Sequence, residues 1–299
     1  MLDLSVIILT YNEETHIRRC LENVRQFTKK IFVVDCHSTD ETQKIAKNFG
    51  AVVIERDWPG NQAKQFNWAL DNLKIDTEWI LRLDADEYLT QELITELSEF
   101  LPSAPKNISG VVMPLGRAFM GRILKHGIVN GISMIRLFRT GKARYENRQM
   151  DEHLQISDGL IYTCKHKFID DNRMPLSHFI KKHNNYADRE ATMLIVEEFN
   201  MKNIPSTNAN FASAVEKKRK QKGWYNRLPL FWRANAYFVY RYFIKLGFLD
   251  GKEGFLWDFL QGWWYRTLVD AKIFEIKKKS QGDPEKIKEI LKTEYNITL

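Results

Sequence analysis

The first hundred residues alternate short β-branched runs with helical patterns, and that alternation restricts the fold to a parallel sheet with crossover helices. It predicts strands at Ser5–Thr10, Ile31–Asp35, Ala51–Glu55 and Trp79–Leu83, with helices at Glu13–Phe27, Thr39–Phe49 and Gln62–Leu73 between them. Leu93, Ile94, Leu97, Phe100 and Leu101 then recur at three-and-four spacing, the apolar stripe of a helix lying on the sheet. Past Pro102 the pattern loosens into a mixed sheet, with strands expected at Val111–Pro114, Ser133–Phe138 and Ile161–Phe168. From Ser177 the reading is helical: Ser177–Asn200, Tyr225–Ile276 as two helices broken near Gly247–Gly254, and Pro284–Leu291. The expected architecture is α/β, a Rossmann-like mixed sheet flanked by helices over residues 1–205, followed by an aromatic-rich helical extension over 206–299.

Composition removes several other classes. A chain of 299 residues that is 44% hydrophobic and 28% charged is neither disordered nor fibrous, and 15 Gly with 8 Pro are too few for a low-complexity linker. The three cysteines, Cys20, Cys36 and Cys164, lie too far apart for a zinc knuckle or a disulfide framework and fit a reducing cytoplasm. Ser5–Leu9 follows no basic n-region and is shorter than a signal core, so no export signal is expected. No apolar run reaches the roughly 20 residues of a membrane-spanning helix.

In an open α/β sheet, ligands gather beyond the carboxyl ends of the strands. Here those ends are strongly polar: Thr10-Tyr11-Asn12-Glu13 after the first strand, Asp35 after the second, Asp84-Ala85-Asp86-Glu87 after the fourth. Singly, Asn12 or Asp40 reads equally as a helix cap and Asp35 as a turn residue. Three such ends together point to a ligand. Asp84 and Asp86 stand two apart, where extended backbone puts alternate side chains on one face, so both carboxylates can meet one cation. Mg²⁺ or Mn²⁺ suits this hard-oxygen site, since either takes its remaining ligands from water and phosphate. The chain has no G-x-x-x-x-G-K-[ST] and no G-x-G-x-x-G, so a nucleotide would be held by neither a P-loop nor a dinucleotide fingerprint.

The run Ser5–Glu13, then Val33-Val34-Asp35 with Ser38-Thr39-Asp40-Glu41-Thr42, then Leu83–Glu87, resembles the family 2 glycosyltransferases of GT-A fold. Lys182-His183-Asn184-Asn185-Tyr186 and Gly247-Phe248-Leu249-Asp250-Gly251 are similar to the subgroup that builds lipopolysaccharide core, capsule and exopolysaccharide. The resemblance implies a nucleoside pocket lined by Thr10, Tyr11, Asn12 and Glu13, with Asp35 facing the base. It implies that Asp84 holds the ribose or the metal and that Asp86 ligates the metal. Gly60–Asn67, with Lys64, Gln65 and Asn67, matches the segment that reaches the donor sugar and phosphates, and reads equally as the start of an amphipathic helix. His37 stands where the family usually has Gly, which should alter the loop before Ser38. The catalytic base implied is Glu152, with Asp151 as the alternative because the family's order of Glu and Asp is reversed here. His178, Lys182 and His183 open the long helix and are placed to reach the diphosphate, or are structural.

Five of the eight tryptophans (Trp224, Trp232, Trp257, Trp263 and Trp264) fall in the C-terminal span, interleaved with Arg227, Arg233, Arg241, Lys245 and Arg266 and preceded by the basic run Lys217–Lys222. Rings beside cations characterise an interfacial helix at headgroup depth. The same composition serves a packed helical layer or a homo-oligomer interface. Binding to nucleic acid is not expected, because the cations sit among bulky aliphatics.

These readings converge on a metal-dependent, inverting transfer of a sugar from a nucleotide diphosphate sugar, UDP-linked by preference, to a lipid-linked saccharide acceptor. The work would be done peripherally at an anionic membrane surface, on the cytoplasmic face of the inner membrane. A nucleotidyltransferase should carry a Gly/Arg/Lys-rich loop after strand one, and Thr10–Glu14 is acidic instead. A non-catalytic membrane-bound scaffold would leave Asp86 and Glu152 dispensable.

Overall fold

The computed structural model describes residues 1–129, 131–146, 154–199, 201, 225 and 228–297. They form two compact units, Met1–Lys125 with Val129–Arg173, and His126–Ile128 with Met174–Leu299. The long helix, placed within residues 1–205 on sequence, falls in the second unit.

In the first unit the expected βα alternation is present as β1 (Leu2–Thr10), α1 (Glu14–Val24), β2 (Thr28–Asp35), α2 (Thr42–Asn48), β3 (Val52–Glu55), α3 (Gln62–Asn72) and β4 (Trp79–Asp84). After β5 (Glu87–Leu89) and α4 (Gln91–Phe100) come β6 (Ile108–Phe119), β7 (Arg122–Leu124), β8 (Ser133–Arg139), β9 (Ala143–Tyr145), β10 (Leu154–Ile156), β11 (Leu160–Thr163) and β12 (Phe168–Asp171). The main sheet runs β3-β2-β1-β4-β8-β6-β12-β5. Strands β1 to β4 are parallel, and β8 enters antiparallel to both β4 and β6. This is a mixed sheet flanked by helices.

Period-two alternation explains the layering. Leu4, Val6 and Ile8 of β1 face a cluster with Ile17, Cys20 and Leu21 of α1 and Leu93 and Leu97 of α4. Ile7 faces the opposite cluster, with Phe66 and Ala69 of α3.

One expected strand divides. Ile161–Phe168 is two strands, β11 and β12, because Glu96 accepts the backbone N–H groups of Lys165 (3.0 Å) and His166 (3.1 Å) and draws the chain off the ladder. The short strands β5, β7, β9 and β10 carry too few residues to show a period.

The second unit is helical. Helix α5 (Leu176–Glu198) packs Ala187, Ala191 and Ile195 against Val269, Ile273 and Ile276 of the helix Tyr265–Ser280 and Ile287 and Leu291 of the helix Pro284–Glu294. The expected break falls at Leu246, whose φ of 60° ends a helical run from Trp232. A 3₁₀ turn, Gly247–Asp250, follows, and the chain is then helical from Gly251 to Ser280 through a π segment at Asp258–Trp264. Buried ion pairs tie the layers together, Arg233 to Asp270 and Arg241 to Asp258.

Candidate active site

Four parallel strands with their helices bring the loops after β1, β2 and β4 to one edge of the sheet. The first two loops are laced together. Asp35 is fully buried and accepts from Thr10 Oγ1 (2.6 Å), Ser38 N (2.7 Å), Ser38 Oγ (2.6 Å) and Gln43 Nε2 (2.9 Å). Asn12, at φ 55°, accepts from Thr39 N–H at 2.8 Å and gives its own N–H to Ser38 Oγ. Helix α1 has no cap of its own, and the β2–α2 loop supplies one. Thr42 Oγ1 accepts from Glu13 N–H at 2.7 Å and Asp40 Oδ2 from Glu14 N–H at 3.1 Å. Asp40 is therefore a cap, shared between two helices. Asp35 acts inward, as the anchor of this loop pair, and Tyr11 beside it is exposed.

His37 adopts φ 58°, the left-handed conformation that glycine takes without steric cost. Its ring spans Glu55 Oε2 (3.1 Å) and Asp57 Oδ1 (3.0 Å), and the bond to Glu55 above all raises the imidazole's pKa.

Ala85 and Asp86 make a turn between β4 and β5, closed by Glu87 Oε2 accepting from Asp84 N–H at 2.9 Å, where extended backbone was expected. Ala85 and Glu87 are buried, and Asp84 and Asp86 are half-exposed. The turn therefore keeps both aspartates on the solvent side. Asp84 accepts from Arg82 (3.1 Å) and Arg136 (3.2 Å). Arg82 also bonds Gln62 and the Tyr145 hydroxyl, and Arg136 bonds Glu87. Burial pushes the Glu87 carboxyl up to about 8, against the pull of Arg136, and the acidic partners hold Arg136 firmly charged.

Asp86 is held from the other side. Asn172 Nδ2 donates to its Oδ2 at 2.9 Å, and its carbonyl accepts from Arg19 Nη2 (3.1 Å) and Asp171 N–H (3.0 Å). Among the described residues its Oδ1 has no hydrogen-bond partner. The donor set fits Mg²⁺ or Mn²⁺: two hard carboxylates, with one oxygen that no donor among the described residues claims. No cluster of three His, Cys, Asp or Glu side chains among the described residues could form a cage, so most of the cation's ligands would come from water and phosphate.

Gln62–Asn72 is a helix capped by Asn61, whose Oδ1 accepts from Lys64 N–H at 2.8 Å. Gln65 is buried against Cys36 Sγ and Arg56, and Asn67 exchanges hydrogen bonds with the backbone of Tyr145 (3.0 and 2.9 Å). Both amides thus hold the unit together, and Lys64 is the exposed side chain of the three. In the second unit His178 and Lys182 are exposed, whereas His183 stacks on Phe179 and meets Gln261 Nε2 at 2.6 Å and the Phe179 carbonyl at 2.8 Å. Asp151 and Glu152 lie outside the described residues.

Several residues of this site escape a reading by strand ends. His16 is fully buried, its Nδ1 2.6 Å from Glu13 and its Nε2 accepting from Arg173 N–H at 2.8 Å. It sits in the apolar stripe of α1 with Ile17, Cys20 and Val24, where a polar residue is itself a signal. Arg82 and Arg136 likewise interrupt the apolar runs Ile80–Leu83 and Met134–Phe138. Asn172 carries no such mark.

The family model described as glycosyl transferase family 2 matches residues 5–246. An uncharacterized glycosyltransferase of Rickettsia typhi is 38% identical over 103 residues, 34% of this chain and 34% of that protein, so the match spans about a third of the relative's length. The lipopolysaccharide core biosynthesis glycosyltransferase LpsC of Rhizobium meliloti is 28% identical over 168 residues, 54% of this chain and 57% of that one. The solved mannosyltransferase PcManGT of Pyrobaculum calidifontis, in complex with GDP-Man and Mn²⁺, is 16% identical with a TM-score of 0.48, covering 91% of this chain and 87% of that one.

Proposed function

The chain belongs to glycosyl transferase family 2, and from that premise we propose that it transfers a sugar, with inversion, from a nucleotide diphosphate sugar to a lipid-linked saccharide acceptor. UDP is the preferred donor nucleotide, and lipopolysaccharide or surface-polysaccharide assembly the setting. The observation that carries the reading is the Ala85-Asp86 turn, which presents two half-exposed carboxylates at the carboxyl edge of the sheet, with Asp86 Oδ1 unclaimed among the described residues.

In this reading Thr10–Glu13 and the loop anchored by Asp35 frame the nucleoside, and Lys64, the exposed cation at the start of α3, meets the phosphates. Asp86, assisted by Asp84, would hold Mg²⁺ or Mn²⁺, and the bound cation would supply charge neutralisation to the departing diphosphate. The acceptor hydroxyl oxygen attacks the anomeric carbon in line, the bond from that carbon to the diphosphate oxygen breaks, and the acceptor's proton passes to a carboxylate. Glu152 is assigned as that base, with Asp151 as its alternative. The lipid of the acceptor accounts for work at a membrane surface, on the cytoplasmic face. No helix among the described residues is long and apolar enough to cross a bilayer, and the attachment proposed is peripheral.

The test is a thermal-shift panel of UDP, GDP, CDP and dTDP with and without Mn²⁺. Stabilisation by one diphosphate only in the presence of metal, lost in Asp86→Ala, is expected. Glu152→Gln should keep that stabilisation while transfer falls roughly 10²- to 10⁴-fold. Full transfer by a folded Asp86→Ala protein would overturn the metal assignment, and no shift with any nucleotide would favour a non-catalytic scaffold.

A further inference from the structure

The second unit carries a surface that the sugar chemistry does not use. Where the helical run ends at Leu246, large apolar side chains turn outward: Phe243 is 55% exposed, Ile244 66% and Leu249 50%. Phe243 belongs to a ring cluster centred on Tyr242, which lies 5.0 Å from Phe243, 6.1 Å from Phe248 and 5.6 Å from Phe255, centroid to centroid. Within it opens a groove of about 600 Å³, lined by Tyr242, Phe248, Gly251, Lys252, Phe255 and Leu256.

The charges of this stretch are sorted by sign. Lys245 and Lys252 are exposed, the first with its ammonium 5.4 Å over the Tyr240 ring. The carboxylates turn inward: Asp250 is 3% exposed and meets His126, Asp258 is 2% exposed and meets Arg241, and Glu253 is half-buried. An apolar tip rimmed by lysines, with its acids withdrawn, is complementary to a bilayer of anionic lipid.

We propose that residues 240–256 form the membrane-docking tip of this protein, with Phe243 and Ile244 entering the acyl region, Lys245 and Lys252 meeting anionic headgroups, and the Tyr242–Phe255 groove receiving one lipid chain. This rests on the peripheral-membrane part of the function proposed above and assigns it to one surface. The basic run Lys217–Lys222 lies outside the described residues and is not needed by it.

The test is co-sedimentation of the full chain with vesicles of phosphatidylcholine alone or mixed with phosphatidylglycerol. Wild type should prefer the anionic vesicles. Phe243→Ser/Ile244→Ser should weaken that binding at least about tenfold, and Lys245→Ala/Lys252→Ala should weaken it about 30-fold on anionic vesicles. Both variants should keep the wild-type melting temperature and nucleotide shift, since every substituted side chain is exposed. If wild type binds and both variants bind equally well, the tip is wrong while peripheral attachment stands; if wild type binds neither vesicle, both fall. A lipid-independent dimer broken by Phe243→Ser/Ile244→Ser would show that a second copy covers this face, and would overturn the proposal.

Discussion

Asn172 Nδ2 donates to Asp86 Oδ2 at 2.9 Å, tying the end of β12 to the turn after β4 across 86 residues of sequence. The bond leaves Oδ1 as the oxygen open to a cation and fixes the direction in which it points. Asn172 is thus a positioning residue for the proposed metal site, one step removed from any ligand.

Removing that support should loosen the cation more than the fold. Asn172→Ala should raise the Mn²⁺ concentration needed for half-maximal nucleotide-dependent stabilisation by roughly 10- to 100-fold, the range for lost outer-shell partners. Its melting temperature without nucleotide should stay close to wild type. An unchanged metal titration would show that Asn172 does not orient Asp86.

Asp35 should behave as a structural carboxylate. It accepts four hydrogen bonds in a fully buried place, and Asn in its stead would turn an amide NH₂ toward donors. Asp35→Asn is expected to lower stability by about 2–4 kcal/mol, measured by urea unfolding. A loss of donor binding with unchanged stability would instead make Asp35 a nucleobase contact.

His37 occupies a glycine's backbone conformation and recovers something through its ring. His37→Gly should leave the melting temperature near wild type at pH 8, while His37→Val, β-branched at φ 58°, should lower it clearly. Contacts with Glu55 and Asp57 raise the imidazole's pKa, so the stability that the ring contributes is complete below its ordinary value of 6.5 and is lost as pH rises through the higher folded value. His37→Gly should therefore cost more at pH 5.5 than at pH 8. The opposite order would show that the ring does not pair with these carboxylates.

Glu96 carries the opposite sign. Burial works to raise its pKa, but the N–H groups of Lys165 and His166, the His166 ring and the Tyr162 hydroxyl outweigh it and hold the carboxyl below its ordinary 4.5. That stability is present above 4.5 and is lost as pH falls through the lower folded value. The melting-temperature gap between wild type and Glu96→Gln should be widest near neutrality and close on acidification below pH 4. A gap independent of pH would remove Glu96 from the acid response.

The βα repeat was legible because each element of β1–β4 is long enough to show its period, and the strand-end acids because they interrupt apolar runs. What those acids do was less legible. Asp35 and Asp84 share the same local pattern, an acid closing a mainly apolar strand, yet one is sealed by Thr10 and Ser38 and the other is half-exposed between Arg82 and Arg136. Beyond the neighbours Ser38 and Arg82, that difference is made by Thr10 and Arg136, 25 and 52 residues away, which no local period encodes. The helical break was readable from Gly247–Gly254, but its geometry depends on Leu246 taking φ 60°.

The glycines of that break test the packing directly. A Cβ on Gly254 would stand 2.5 Å from the Gly247 carbonyl oxygen and 2.6 Å from Asp250 Cβ, so the intruder meets backbone and a short, buried side chain that cannot swing aside. A Cβ on Gly247 would collide with Asp258 Oδ2, and Asp258 is committed to Arg241. Gly254→Ala should therefore cost about 1–3 kcal/mol, the range for overpacking a close-packed interior, even though alanine is the better helix former by about 1 kcal/mol. The two effects oppose, so the sign of the measured change in unfolding free energy decides between them. Destabilisation would mean that the 3₁₀ turn is pressed against the following helix, and stabilisation would mean that the turn yields and propensity governs.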